Sequence, residues 1–82
     1  MVDFMQVLYI YDLNAKDKVK FNRLKRKFYY HLNKLPIKND SWKTKSTLAV
    51  PLKMEKMLDA FFKVFKSSVI VYKAYTESIE EL

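Results

Sequence analysis

The hydrophobic and polar positions of this chain follow two different periods. An apolar run, 5–11, is rich in β-branched and aromatic side chains and precedes the carboxylate Asp12. This length and composition predict a strand that is covered on both faces. Apolar residues then recur every three or four positions, which predicts an amphipathic helix. They are Phe21, Leu24, Phe28, Leu32 and Leu35.

The second half of the chain repeats this order of elements. Residues 42–50 alternate between the two sides of a strand that Pro51 closes or kinks, and a break could divide that strand into a pair. A second helical pattern places Met54, Met57, Leu58, Phe61 and Phe65 on its apolar side. Residues 68–75 then predict another apolar strand. The acidic segment 76–82 follows, either as a flexible tail or as a strand exchanged with a second subunit.

This β-α-β-(β)-α-β order predicts an α/β fold, more narrowly an α+β sandwich of the ferredoxin-like type. Both helices would pack on one face of a small antiparallel sheet. Because 82 residues build one small domain, residues 1–82 are expected to form a single unit. The other sheet face would remain free, and the first strand is apolar on both sides. We therefore expect a homodimer that covers this face.

The charge of the chain points to a polyanionic partner. Its formal net charge is +7, and residues 13–53 hold twelve basic and two acidic residues, a local net charge of +10. Such an imbalance is typical of nucleic-acid-binding domains. An ordinary lysine-rich surface is the alternative.

Several classes of site are excluded by composition. The chain has no Cys, which excludes disulfides, Cys-ligated zinc and thiol catalysis, and no Gly, which excludes glycine-rich phosphate-binding loops. No apolar stretch approaches the roughly 18 residues of a membrane span, and the first residues do not resemble a signal peptide. We therefore expect a cytoplasmic protein without membrane contact, and the composition suits an archaeal or thermophilic source.

The candidate acids are Asp12 and Asp17. Asp12 has two interpretations, an acid delivered to a basic surface at the end of a strand or the N-cap of the following helix. Asp17 is expected in the first turn of that helix, where it would interact with the helix dipole.

The candidate nucleic-acid contacts are basic residues of the first helix and of the middle strand region. Trp42 could stack on a base of a single strand, or else cover the core from an edge strand. His31 is expected to be a partly buried structural residue. The candidate phosphate contacts are Lys16, Lys20, Arg23, Lys27, Lys43 and Lys45.

The first strand and the segments after it resemble a known family. Residues 9–13, Tyr-Ile-Tyr-Asp-Leu, followed by a polar turn and a basic helix, resemble the CRISPR-associated Cas-two family of spacer-acquisition proteins. Ser46-Thr47-Leu48 falls where that family has a Ser-apolar-Phe motif, and residues 68–72 resemble its late strand. Leu48 replaces the usual Phe, and the family's glycines are missing.

The resemblance implies a ferredoxin-like homodimer in which the two Asp12 side chains face each other. They would hold a divalent metal, Mg²⁺ or Mn²⁺, so Asp12 would be both metal ligand and catalytic residue of an endonuclease acting on RNA or DNA. In the antiviral role of the family, the dimer bridges copies of an integrase subunit and holds double-stranded DNA. The alternative is a non-catalytic nucleic-acid-binding or assembly module of viral, plasmid or toxin-like origin, in which Asp12 has no chemical role.

Overall fold

In the computed structural model, which describes residues 5–82, two α-helices pack on one face of a four-stranded sheet. Short 3-10 helices at Asn39–Ser41 and Leu52–Met54 precede the second strand and the second helix. The elements are β1 (Gln6–Leu13), α1 (Lys18–Leu32), β2 (Trp42–Thr44), β3 (Thr47–Pro51), α2 (Glu55–Val64) and β4 (Val69–Thr76).

The sheet has the strand order β2-β3-β1-β4, and each neighbouring pair is antiparallel. Together with the order β-α-β-β-α-β along the chain, this confirms the predicted ferredoxin-like α+β fold. The predicted break in the middle strand region lies at Lys45 and Ser46, which form the turn between β2 and β3. β4 includes Thr76, so the segment outside helices and strands is 77–82 rather than 76–82.

The core lies between the helices and the side of β1 that carries Val7, Tyr9 and Tyr11. Leu48 and Val50 of β3 are the cross-strand partners of Tyr9 and Val7, which places them on the same face. The helices contribute Phe28, Leu32, Leu58, Phe62 and Phe65.

Phe28 is at the centre of this core and has no exposed surface. Its ring centroid lies 5.2 to 6.1 Å from those of Tyr11, Tyr29, Phe61, Phe62 and Phe65. On α2, Phe62 is buried whereas Phe61 is only partly buried, so the apolar side of this helix is turned slightly from the side expected.

The β2–β3 turn is formed without left-handed backbone. None of the described residues has a positive φ, whereas two-residue hairpin loops usually need one. The register also shifts between Trp42 and Thr44, so the strand pairing next to this turn is irregular, as at a β-bulge. The Tyr11 backbone N–H also donates to the Ser46 carbonyl at 3.0 Å, so β1 holds the turn.

α1 begins with a side-chain cap from Asp17. The Asp17 carboxylate accepts the Lys20 backbone N–H at 2.8 Å, and Asp17 has extended φ and ψ. The N-cap interpretation of Asp12 is therefore wrong, and Asp17 lies one position before the first turn in which it was expected.

The sheet face away from the helices is open and largely apolar. Ile10 of β1 pairs with Tyr72 of β4, and both are exposed. Asp12 pairs with Ile70 on the same side, at the end of this face. We call this surface, Leu8, Ile10, Asp12, Ile70, Tyr72 and Ala74, the open sheet face.

Truncating the central ring tests this description of the core. We expect Phe28→Ala to lower the free energy of unfolding by about 3–5 kcal/mol, because it removes buried apolar surface and leaves a cavity. Urea unfolding followed by circular dichroism measures this change. Val19→Ala, at a largely exposed position of α1, is the control and should stay within about 0.5 kcal/mol of the parent protein. A small effect of Phe28→Ala would contradict this packing.

Candidate nucleic-acid interface

A basic cleft lies between α1 and the β2–β3 hairpin. Its volume is about 550 Å³. Lys25, Tyr29 and Asn33 form one wall, and the hairpin residues Trp42, Lys43, Thr44 and Lys45 form the other. We call it the α1–hairpin cleft. Among the described residues, its lining includes three lysines and two aromatic rings but no acid.

The α1 wall follows from the helical repeat. Lys25, Tyr29 and Asn33 are spaced four residues apart, so their side chains project from the same side of the helix. Tyr29 packs its ring against Phe28 in a T-shaped contact, with centroids 5.2 Å apart. Its hydroxyl donates to the Lys45 carbonyl at 3.2 Å. The core and the hairpin therefore both fix the position of Tyr29.

The hairpin wall is attached to the core through Tyr11. The Tyr11 hydroxyl donates to the Lys45 carbonyl at 3.0 Å and lies 3.2 Å from the Tyr29 hydroxyl. Burial, together with the hydrogen bond to Tyr29, raises the pKa of Tyr11 well above its ordinary value of 10.0. The Tyr11 hydroxyl therefore stays protonated and remains a donor. Trp42 packs edge-on against the Tyr11 ring with centroids 6.3 Å apart.

The structure brings together only part of the predicted basic set. Lys43 and Lys45 line the cleft, and they lie with Lys25, which the sequence analysis did not select. All the predicted basic residues are exposed. Lys27 lies on the opposite flank of α1, in a groove beside α2. Lys20 and Arg23 precede Lys27 by seven and four residues and share its side of the helix; Lys16 lies before α1.

The groove between α1 and α2 is mainly apolar, with a volume of about 420 Å³. His31 lines it and is exposed, so the expectation of a partly buried imidazole was wrong. Its ring lies against Tyr30 at 5.2 Å and is 6.5 Å from Phe65. Phe28 and Leu32 occupy the buried side of α1, and His31 lies beside that side, where its ring reaches solvent.

Asp12 is exposed on the open sheet face. It lies within β1, one residue before the end of the strand, rather than just past the end of it. Its carboxylate makes no hydrogen bond or ion pair with any other residue of 5–82. Within that range no group of three or more His, Asp or Glu side chains is placed to hold a metal ion. Within the described part of the chain, Asp12 therefore has no cluster of acids or imidazoles around it that would complete a metal site.

A second polar cluster, which the sequence analysis missed, connects α2 to β4. Lys73 donates to Glu55 at 2.7 Å and to Asp59 at 2.9 Å, and Tyr75 hydrogen-bonds to Glu55. The Tyr9 hydroxyl donates to Asp59 at 2.7 Å. Glu55 and Asp59 lie on α2, outside the set of apolar positions that the helical pattern selects, and β4 lies close enough to pair with them.

The contacts within this cluster shift the pKa values of its members. Hydrogen bonds from Lys73 and Tyr75 lower the pKa of Glu55 below its ordinary value of 4.5. Burial opposes ionisation of Asp59, but hydrogen bonds from Lys73 and Tyr9 outweigh it, so the pKa of Asp59 is also lowered. The two carboxylates in turn raise the pKa of Lys73. Lys73 pairs with both carboxylates and therefore offsets part of their negative charge.

The chain is not matched by any protein-family model, curated protein or solved structure. Within residues 5–82, no helix is long and apolar enough to cross a membrane.

The Lys73 cluster predicts a loss of stability in acid. The folded state lowers the pKa of Glu55 and Asp59 from 4.5 and 3.8, so their contribution is complete above about pH 4.5 and is lost as pH falls through the lower folded values. We expect the Tm of Lys73→Met to depend less on pH between 5 and 2 than that of the parent protein. Thermal unfolding across this range is the measurement. Lys56→Met, at an exposed position of α2, should keep the parent's acid dependence; equal slopes for all three proteins would contradict the assignment.

Proposed function

We propose that this protein binds nucleic acid through the α1–hairpin cleft. The observation that carries the proposal is the composition of the cleft, where Lys25, Lys43 and Lys45 lie beside Tyr29 and Trp42 with no acidic residue in the lining. Lysine ammonium groups bind phosphates and release their counterions, and aromatic rings stack on bases.

The distribution of the remaining charges supports this surface. Lys73 offsets one of the two negative charges of Glu55 and Asp59, and this cluster lies at the opposite edge of the sheet, next to β4. The net charge of +7 adds a long-range attraction for a polyanion. The cleft is also preformed, because the Tyr11 and Tyr29 hydroxyls both donate hydrogen bonds to the Lys45 carbonyl. Binding would therefore require little rearrangement of the hairpin.

A second candidate function, the CRISPR-associated adaptation role in the cytoplasm, is favoured by the position of Asp12. The exposed Asp12 carboxylate, which has no partner among residues 5–82, stands at the end of an open and largely apolar sheet face. If two copies pack through this face as a homodimer, the two Asp12 side chains could approach each other, repel, and take up Mg²⁺ or Mn²⁺. Such a metal would activate water or stabilise charge in phosphodiester cleavage of RNA or double-stranded DNA. The same proposal includes a dimer that bridges copies of an integrase subunit.

Removing the cleft lysines tests the primary proposal. For the triple variant Lys25→Gln, Lys43→Gln and Lys45→Gln, we expect weaker binding of a labelled oligonucleotide. The slope of log K against log salt should become shallower by about 2–3, close to one unit for each lost phosphate contact. Fluorescence anisotropy between 50 and 300 mM KCl measures both quantities.

The matched control removes three exposed lysines elsewhere on the molecule. The variant Lys53→Gln, Lys56→Gln and Lys63→Gln has the same net charge as the cleft variant, but none of its three positions lines the cleft. It should retain most of the affinity. Equal losses in the two triple variants would show that binding depends on total charge and would reject the cleft as the site.

The candidate nuclease is tested through Asp12. Labelled RNA and duplex DNA are incubated with Mg²⁺, Mn²⁺ or EDTA, and metal-dependent cleavage should disappear in Asp12→Asn but persist in Asp40→Asn. Ile10→Lys should also abolish cleavage, because a charge on the open sheet face would separate the subunits, which light scattering reports as a halved molar mass. Cleavage that survives in Asp12→Asn would reject the catalytic role of this residue.

A further inference from the structure

We infer that the α1–hairpin cleft takes an unpaired base, so that the preferred ligand is a single-stranded nucleic acid whose base contacts Trp42 and Tyr29. The inference deepens the proposed function and depends on it. It assigns a ligand class to the cleft and a role to its aromatic residues.

The cleft is an open depression with room for one base. A volume of about 550 Å³ lies in the range of pockets that hold small-molecule ligands. A duplex keeps its bases stacked inside and would bring only its phosphates to the lysines at the edge of the cleft. An unpaired base can turn away from its strand and enter.

The chemistry of the lining matches the parts of a nucleotide. Trp42 and Tyr29 offer aromatic surface, and stacking on such surface raises affinity on the order of tenfold to a hundredfold per base. The Asn33 side-chain amide makes no hydrogen bond within residues 5–82 and can both donate to and accept from a base edge. Lys25 and Lys45 form no ion pair with any described residue, which leaves their ammonium groups available to the phosphates on either side.

The two rings are held in place before the ligand arrives. Tyr29 is fixed by its hydroxyl on the Lys45 carbonyl and by its contact with Phe28. Trp42 is half-buried and packs edge-on against Tyr11. Little conformational entropy is therefore lost when a base stacks there.

Trp42 is also the only tryptophan of the chain, so its emission reports on the cleft alone. The experiment titrates the protein with three ligands of equal length: a single-stranded oligonucleotide, its duplex, and a single strand whose central positions are abasic. Anisotropy of a label on the ligand measures affinity, and Trp42 fluorescence measures contact with a base. We expect the intact single strand to quench Trp42 and to bind at least tenfold more tightly than the duplex or the abasic strand.

Variants separate stacking from the fold. Trp42→Phe and Asn33→Ala should weaken binding of the single strand several-fold and leave duplex binding unchanged, with the Tm measured for each variant. Tyr30→Ala, which removes an exposed aromatic residue of α1 that does not line the cleft, is the control and should bind like the parent protein.

Two outcomes distinguish failure of this inference from failure of the proposed function. If duplex and single strand bind equally without quenching, and the lysine triple variant weakens both, the cleft binds phosphate only and this inference is overturned while the proposed function stands. If neither ligand binds at low salt, the proposed function fails and this inference fails with it.

Discussion

The two buried tyrosines of β1 must place their rings in the core and their hydroxyls against a polar partner, and the rest of the fold is arranged around this requirement. A buried tyrosine hydroxyl without a hydrogen bond would destabilise a domain of this size. The Tyr9 hydroxyl donates to the Glu55 carbonyl and the Asp59 carboxylate, both on α2. The Tyr11 hydroxyl donates to the Lys45 carbonyl in the β2–β3 hairpin. The central strand thus attaches α2 and the β2–β3 hairpin to the same core.

The surfaces around these two tyrosine hydroxyls differ in charge. Around Tyr9, acidic side chains are paired with Lys73 and contribute to stability. Around Tyr11, the partner is a backbone carbonyl, so no acid is needed and the neighbouring lysines remain unneutralised. A carboxylate in place of that carbonyl would have cancelled part of the positive charge of the cleft. The basic character of the α1–hairpin cleft therefore depends on how the Tyr11 hydroxyl is satisfied.

The elements and their order could be predicted from the sequence because the apolar periods change clearly between strands and helices. The side of α2 that faces the core was harder to predict, because Phe61 and Phe62 are adjacent and either one fits a helical repeat. The Asp17 cap was missed because two acids stand before α1, and only the position of the first helical turn decides between them. Lys25 was missed for another reason. α1 is basic on several sides, and only the packing of the hairpin beside Tyr29 shows which lysine shares a cleft with Lys43 and Lys45.

The backbone of the hairpin has a consequence for how this surface could vary during evolution. A turn that requires positive φ restricts its residues mainly to Gly, Asn or Asp. No described residue of this chain adopts positive φ. The hairpin is held instead through the backbone of Lys45 and Ser46 and through the Thr44 hydroxyl, which accepts the Ser46 backbone N–H at 3.2 Å. The turn conformation therefore does not restrict which side chains can stand at Lys45 and Ser46, the tip of the hairpin. Mutational drift at this tip can change charge and ligand preference without a cost to the fold, so related chains could share this architecture and bind different ligands.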